Sequence, residues 1–514
     1  MRTLRNRIES GFERFGGWIY DNPRKTLAVL LLTMAALFSQ LPSITFDSSN
    51  ESMFHKDDPT MSDYDAFRDQ FGREEFVIIG ITPPEVFDRA FLLKLGEFHD
   101  ALESEVPYLE DVTSLVNVRN TRGEGDQLIV EDLLKTLPDT PAAMAALRER
   151  VLSSTLYPNF LISPDGRFTV VTLETYAYSP SALEDDPTAA FGALDSSAVN
   201  NSGMDANATG AASGFGGVIT TDELPGTSAT RVPFTPEENK EVVQAIERVV
   251  ERFDGPEFAI VLAGSPVMNV FFEAAMQGDM GTFMGLAIVA IGLLLLLVFR
   301  RMAGVILPLL VVGVAVVSTI SLMAVTGTPF TMPTTILPSF LLAVGVGACV
   351  HLLAIFFRKY GETGDKRASL SFALGHSGLP IFMTGITTAT GLFSFSTAEM
   401  APIAHLGIYA GVGVLTSAVY TLVLVPALLA LWPLRVHPRF GSASPNQFVD
   451  RLLLWVADTA TLRPWPVVGV FAVAGVLAVV GLTRLSFSQN FVEWIPLDLP
   501  MRQSIDYIDA EMGG

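Results

Sequence analysis

The chain is poor in cysteine and in charge. Its 514 residues include one cysteine, Cys349, so no disulfide framework and no cysteine-built metal site can form within one copy. Only 17% of its residues are charged, where a soluble domain normally carries about 25%. Basic residues are the scarcer sign: 33 Lys and Arg stand against 54 Asp and Glu, a formal net charge of -21. So acidic a chain repels a phosphate backbone, which argues against nucleic acid as a partner. No GxxxxGK[ST] loop is present, so ATP hydrolysis by that route is excluded. The 6 histidines are scattered. No nucleophile–base pair, paired-carboxylate site or metal-spaced cluster can be read. The expectation is a protein that is not an enzyme, with no catalytic residues, no metal and no cofactor.

What is abundant is apolar sequence, gathered into blocks. They cover residues 26–42, 282–299, 305–325, 336–357, 379–396, 406–432 and 465–482. At 1.5 Å per residue each crosses most of a roughly 30 Å hydrocarbon core. The fold class expected is therefore an α-helical polytopic membrane protein. A signal peptide is the alternative for the first block. The leader before it is long and no Ala-x-Ala site follows, which favours an uncleaved anchor.

That leader is basic, with Arg2, Arg5, Arg7, Arg14, Arg24 and Lys25. Leu4, Ile8, Phe12, Phe15 and Ile19 recur at spacings of three and four, the pattern of a helix lying on a membrane surface. A solvated leader is the plainer reading. The loops set the orientation. Arg300, Arg301, Arg358, Lys359, Lys366, Arg367, Arg435, Arg439, Arg451 and Arg463 fall on one side, while residues 326–334 and 399–402 on the other hold no Lys or Arg. Positive loops stay inside, so the N-terminus is expected in the cytoplasm and residues 46–277 outside the inner (plasma) membrane.

This outer segment holds roughly 40 acidic and about 15 basic residues, which keeps it solvated and away from anionic headgroups. Its pattern reads as strand 75–81, helix 86–102 and strand 112–118. An inserted helix at 131–152 follows, then strand 168–176, a helix opened by the capping box of Thr235 and Glu238, and strand 258–262. Two β-α-β halves suggest an α+β, ferredoxin-like (split βαβ) domain. Residues 179–233 lack apolar periodicity and read as a mobile loop.

Sequence around the first block recurs around the seventh. Pro23 pairs with Pro464, Phe46 with Phe487, Asp57 with Asp498, Pro59 with Pro500, Asp65 with Asp506 and Gly72 with Gly513, all at one constant offset. A duplicated six-span unit is a transporter design, with the path at the repeat interface. The organisation expected is a leader (1–25), a first span (26–45), an outer domain (46–277), a five-span bundle (278–434), a cytoplasmic linker (435–463), a seventh span (464–485) and the start of a second outer domain (486–514). On this reading the chain stops just after its second copy opens, and a second-half chain or a homo-oligomer would complete it.

Three stretches resemble the MMPL branch of the resistance–nodulation–division superfamily, which is related to sterol-sensing-domain proteins. They are LPSFLLAVGVGACVHLLAIFFRKY from Leu337, LPIFMTGITTATGLFSF from Leu379, and LGIYAGVGVLTSAVYTLVLVPALLAL from Leu406. The resemblance implies a proton-driven exporter of hydrophobic or lipid-like substrates in contact with membrane lipids. It also implies a proton-carrying aspartate in the fourth span. Ala348 occupies that position and cannot titrate, which puts coupling through this half in doubt. A non-transporting, sterol-sensing-like lipid sensor or scaffold is the competing reading.

Within the blocks His351 is the one ionisable residue well inside, one turn from Ala348. Its near-neutral titration suits a proton relay; a bond to a neighbouring helix is the plainer reading. Thr384, Thr387 and Thr388 share a face and are candidates for a hydrated path or for helix contacts. Glu399, His405 and His376 fit interfacial solvation. Gly281, Gly285, Gly345, Gly347, Gly407 and Gly411 are expected to let helices approach closely.

Overall fold

The structure, a computed structural model, describes residues 2–49, 51–55, 57–71, 75–124, 127–176, 178–179, 234–433, 447–485 and 491–513. In chain order its first elements are α1 (Arg2–Asp21), α2 (Pro23–Phe38), α3 (Pro59–Phe71), β1 (Phe76–Thr82), α4 (Arg89–Glu105), β2 (Leu109–Thr113), β3 (Arg119–Glu124), β4 (Gln127–Asp132), α5 (Pro141–Ser153) and β5 (Thr169–Thr175). Then come α6 (Pro236–Phe253), β6 (Ala259–Ala263), α7 (Ser265–Phe299), α8 (Met302–Val325), α9 (Leu337–Thr363), α10 (Lys366–Phe393) and α11 (Ala401–Leu431). The last are α12 (Gln447–Leu462), α13 (Pro464–Leu482) and α14 (Pro500–Met512). Contacts divide the chain into two units, residues 1–57 with 273–491 and residues 58–272 with 492–514.

Among the described residues 7 helices are long and apolar enough to cross a membrane: α2, α7, α8, α9, α10, α11 and α13. A helix satisfies its own backbone polar groups, which hydrocarbon cannot do. The chain is an α-helical polytopic membrane protein. In the first unit α8, α9 and α11 form the centre, where Val311, Leu352, Leu353, Cys349 and Val425 are fully buried. Sparse polar contacts cross it. Ser318 Oγ lies 3.0 Å from the Tyr420 hydroxyl, and Tyr409 bonds Thr326 and Thr328 at 2.6 and 2.8 Å. The Cys349 thiol meets Thr421 Oγ1 at 3.1 Å. By contrast α13 buries none of its residues.

The helices run past the apolar blocks. α10 opens at Lys366, not at 379, because Asp365 caps it by accepting from the Arg367 and Ala368 amides. His376 therefore lies well inside α10, stacked on Phe372 with centroids 5.6 Å apart. Polar turns add hydrogen bonds to a helix without adding hydropathy, so the block marked only its apolar part. α1 lies along α10. Ile19 is fully buried and Phe12 packs into the core, whereas Phe15 and Ile8 stay exposed. The face read as membrane-bound is thus split between a helix contact and an open rim.

The second unit is built on one four-stranded antiparallel sheet of order β2-β5-β1-β6. Val77, Ile79 and Ile81 alternate along β1 and are fully buried, as are Leu95, Phe98 and Leu102 of α4 and Val242 and Ile246 of α6. The β-α-β succession occurs twice around this small sheet. α14 returns to the same unit: Ile495 and Met501 join its core, and the Tyr507 hydroxyl lies 3.0 Å from Thr82 Oγ1.

Several expected bounds move. The helix expected from 86 starts at Arg89, because the Asp88 carboxylate accepts from the Ala90 and Phe91 amides. The strand expected at 112–118 is β2, and it ends at Thr113, where Ser114 and Asn117 close a turn. The inserted helix expected at 131–152 is a correction: a hairpin of β3 and β4 precedes it, and α5 starts only after the Thr140 cap. The capping box of Thr235 and Glu238 is present at α6. The stretch read as a loop lies outside the described residues apart from Ser179, whose hydroxyl bonds Glu238.

Candidate functional site

Helices α9, α10 and α11 line a half-open cavity of about 350 Å³. α9 contributes Gly345, Gly347, Ala348 and His351, α10 contributes Pro380, Thr384, Gly385 and Thr388, and α11 contributes Val414, Ser417 and Ala418. Small residues make this space. On α9 a Cβ at Gly345 would collide with the Ser417 hydroxyl, so only glycine leaves that hydroxyl its place. On α10 Pro380 has no N–H to give the His376 carbonyl, which loosens the helix where it enters the cavity wall.

The lining is mostly apolar, with polar groups at few points. Ala348 is half-buried and His351 is open to the cavity, one turn further along α9. Thr384 and Thr388 face them from α10. Ser417 is 2% exposed, and its Oγ has no hydrogen-bond partner among the described residues. A buried hydroxyl in that state carries a cost of about 1–3 kcal/mol unless water or a ligand meets it. No carboxylate lines the cavity, and no metal-holding group of His, Cys, Asp or Glu occurs among the described residues.

The structure brings together six of the candidate residues: Gly345, Gly347, Ala348, His351, Thr384 and Thr388. Thr387 does not join them. It is exposed, its hydroxyl bonds the Met383 and Thr384 carbonyls of its own helix, and the 3.6-residue turn carries it past the cavity edge. Among the glycines, Gly407 and Gly411 sit tightly against Phe395 and Phe393. Gly281, Gly285 and Gly347 have nothing within 4 Å among the described residues, so the expected close approach is not met there. Gly347 instead opens the cavity wall. His405 stands elsewhere, 6.4 Å from His55 between ring centroids, and His55 Nε2 is 3.0 Å from the Ala398 carbonyl.

Sequence reading missed Ser417. A serine in an apolar helix ordinarily bonds the carbonyl four residues back and goes quiet. Its one signal was position, beside Thr416 at the end of the small-residue run of α11.

The cavity helices lie in the part of the chain that a family model matches. The MMPL family model matches residues 230–474. A membrane protein of Methanocaldococcus jannaschii is 25% identical over 207 residues, which is 39% of this chain and 53% of that protein. The relative named as transport protein MmpL9 of Mycobacterium tuberculosis is 27% identical over 252 residues, 48% of this chain and 25% of its own. The apo-petrobactin exporter of Bacillus anthracis is 25% identical over 238 residues, 42% of this chain and 32% of its own. Over residues 230–474 the chain is of the MMPL type. It spans 53% of the first of these relatives and between 25% and 32% of the other two. The matched stretch includes α9, α10 and α11, with alanine at position 348.

Proposed function

We propose that this chain works in a secondary active transporter that exports hydrophobic or lipid-like substrates from the inner membrane. The proton gradient drives it, and the cavity of α9, α10 and α11 lies on the coupling path. One observation carries the reading: His351, Thr384, Thr388 and the unpartnered Ser417 converge on a single cavity at the aspartate position of the family. Among the residues lining this cavity His351 is the only ionisable side chain. It takes the proton, and the hydroxyls order the water that delivers it. Relatives named as transport proteins and as an exporter support the transport reading. The loop charges support a cytoplasmic N-terminus and an extracytoplasmic second unit.

Ala348 favours a second reading, a lipid sensor or scaffold without transport. Proteoliposomes of the full chain, loaded with a fluorescent long-chain lipid analogue and given an imposed pH gradient, separate the two. Transport predicts gradient-dependent release that His351→Gln lowers about a hundredfold or more, the scale of a lost proton-transfer group. Ala348→Asp should raise the release. If the gradient changes nothing in the wild type or in Ala348→Asp, the sensor reading stands.

A further inference from the structure

α1 is held on one side and open on the other. Its held side meets the opening turns of α10. Arg367 donates two hydrogen bonds to the Asp21 carboxylate, at 2.9 and 2.8 Å. Further along, Leu374 covers Gly16, Glu13 covers Gly375 and Phe12 covers Gly378. The pairs run in opposite order on the two helices, so these packed stretches are antiparallel. A Cβ at Gly375 or Gly378 would strike those side chains. The seam ends just before Pro380, and beyond Pro380 the same helix lines the cavity with Thr384 and Thr388.

The open side has a different chemistry. At about 100° per residue, Arg7, Arg14 and Trp18 fall within roughly 40° of one another, on the side away from Phe12, Glu13 and Gly16. All are exposed. Trp18 is 54% exposed and stacks on Phe15 at 6.4 Å, with Ile8 completing an apolar rim. Arg24 and Lys25 follow, also exposed, where α2 begins. Guanidinium groups bind phosphate in bidentate fashion, and tryptophan prefers the headgroup level. Water alone gives no reason to display Trp18 and Phe15 beside these arginines; a lipid surface suits both.

We propose that α1 is a strap between the bilayer and α10: anionic phospholipid headgroups bind its Arg7–Arg14–Trp18 side, and its other side thereby fixes the turns of α10 that lead into the cavity. The strap stands independently of transport, because it needs only that α2 spans the membrane.

Hydrogen exchange tests it on the full chain in nanodiscs of phosphatidylcholine, alone or mixed with phosphatidylglycerol. Amides of residues 5–21 and 367–378 should exchange more slowly in the anionic bilayer, and high salt should remove the difference. An arginine near such a surface strengthens binding about fivefold, so Arg7→Gln with Arg14→Gln should cut the protection roughly 25-fold. Phe12→Ala should leave α1 protected by anionic lipid while residues 367–378 lose their share. Unchanged exchange in α8, α9 and α11 shows that the variants fold. Equal exchange in both bilayers overturns the proposal, as does anionic protection that survives the double arginine variant. So does protection of residues 367–378 that ignores Phe12→Ala.

Discussion

Glu174 shows how a single residue can sit against its own charge. It lies on β5 opposite Phe76. Burial raises its carboxyl above the usual range, and the Glu110 and Asp111 charges push the same way. Its folded form thus holds the proton to higher pH than its unfolded form. Its contribution to stability is intact below the unfolded carboxylate range and is lost as pH rises through the raised folded value. Glu174→Gln should therefore raise the melting temperature of the second unit at neutral pH, and the gain should vanish below about pH 4. His99 has the opposite sign: burial lowers its pKa, and its Nδ1 lies 3.0 Å from Ser114 Oγ. Acidification below about pH 6.5 favours the unfolded, protonated imidazole and works against the fold. Thermal melts of both proteins across this range measure the two effects. In the cavity, His351, Thr384 and Thr388 were legible because polar residues are rare in an apolar run. Ser417 was not, since its importance depends on Gly345 of another helix.

At the scale of elements, the sequence signals that survive are those with a hydrogen bond behind them. The capping box at α6 is an example: the Thr235 hydroxyl accepts from the Glu238 amide at 3.2 Å, and the Glu238 carboxylate accepts from the Thr235 amide at 2.9 Å. Thr235→Ala should cost about 1 kcal/mol, read as a shift of the denaturation midpoint of the second unit with an unchanged slope. The Asp365 cap at α10 is of the same kind. It went unread because the apolar block begins later, and a hydropathy block marks lipid exposure, not helix length. The β3–β4 hairpin had no such signal. Its residues are mostly polar, so no alternation of period two marks it, and cross-strand bonds to a neighbouring segment create it.

On the scale of the whole molecule, the chain leaves the second unit through α7 and re-enters it after α13. Ile495 and Met501 share a core with Val77 and Leu95, which requires residues on both sides of the bundle sequence to meet in one aqueous compartment. Reporter fusions at residues 100 and 510 should therefore report the same side of the bilayer. Opposite sides would dissolve both the shared core and the doubled-unit reading. The constant offset between Pro59 and Pro500 had placed α3 and α14 as counterparts. It could not say that α14 packs beside β6, with Tyr507 against Phe168 at 5.7 Å.

By itself the sequence determined the solvent of each segment. Long runs without charge cannot stay in water and an acidic, polar stretch cannot stay in lipid, so the spans and the solvated segment between the first two follow from composition. Only tertiary structure decided which polar residues meet. Neighbours across helices depend on the rotation and crossing of each helix, and the apolar runs of α9, α10 and α11 leave that rotation open. Packing against Gly345 settles it, placing His351, Thr384, Thr388 and Ser417 on one cavity and leaving Thr387 off it.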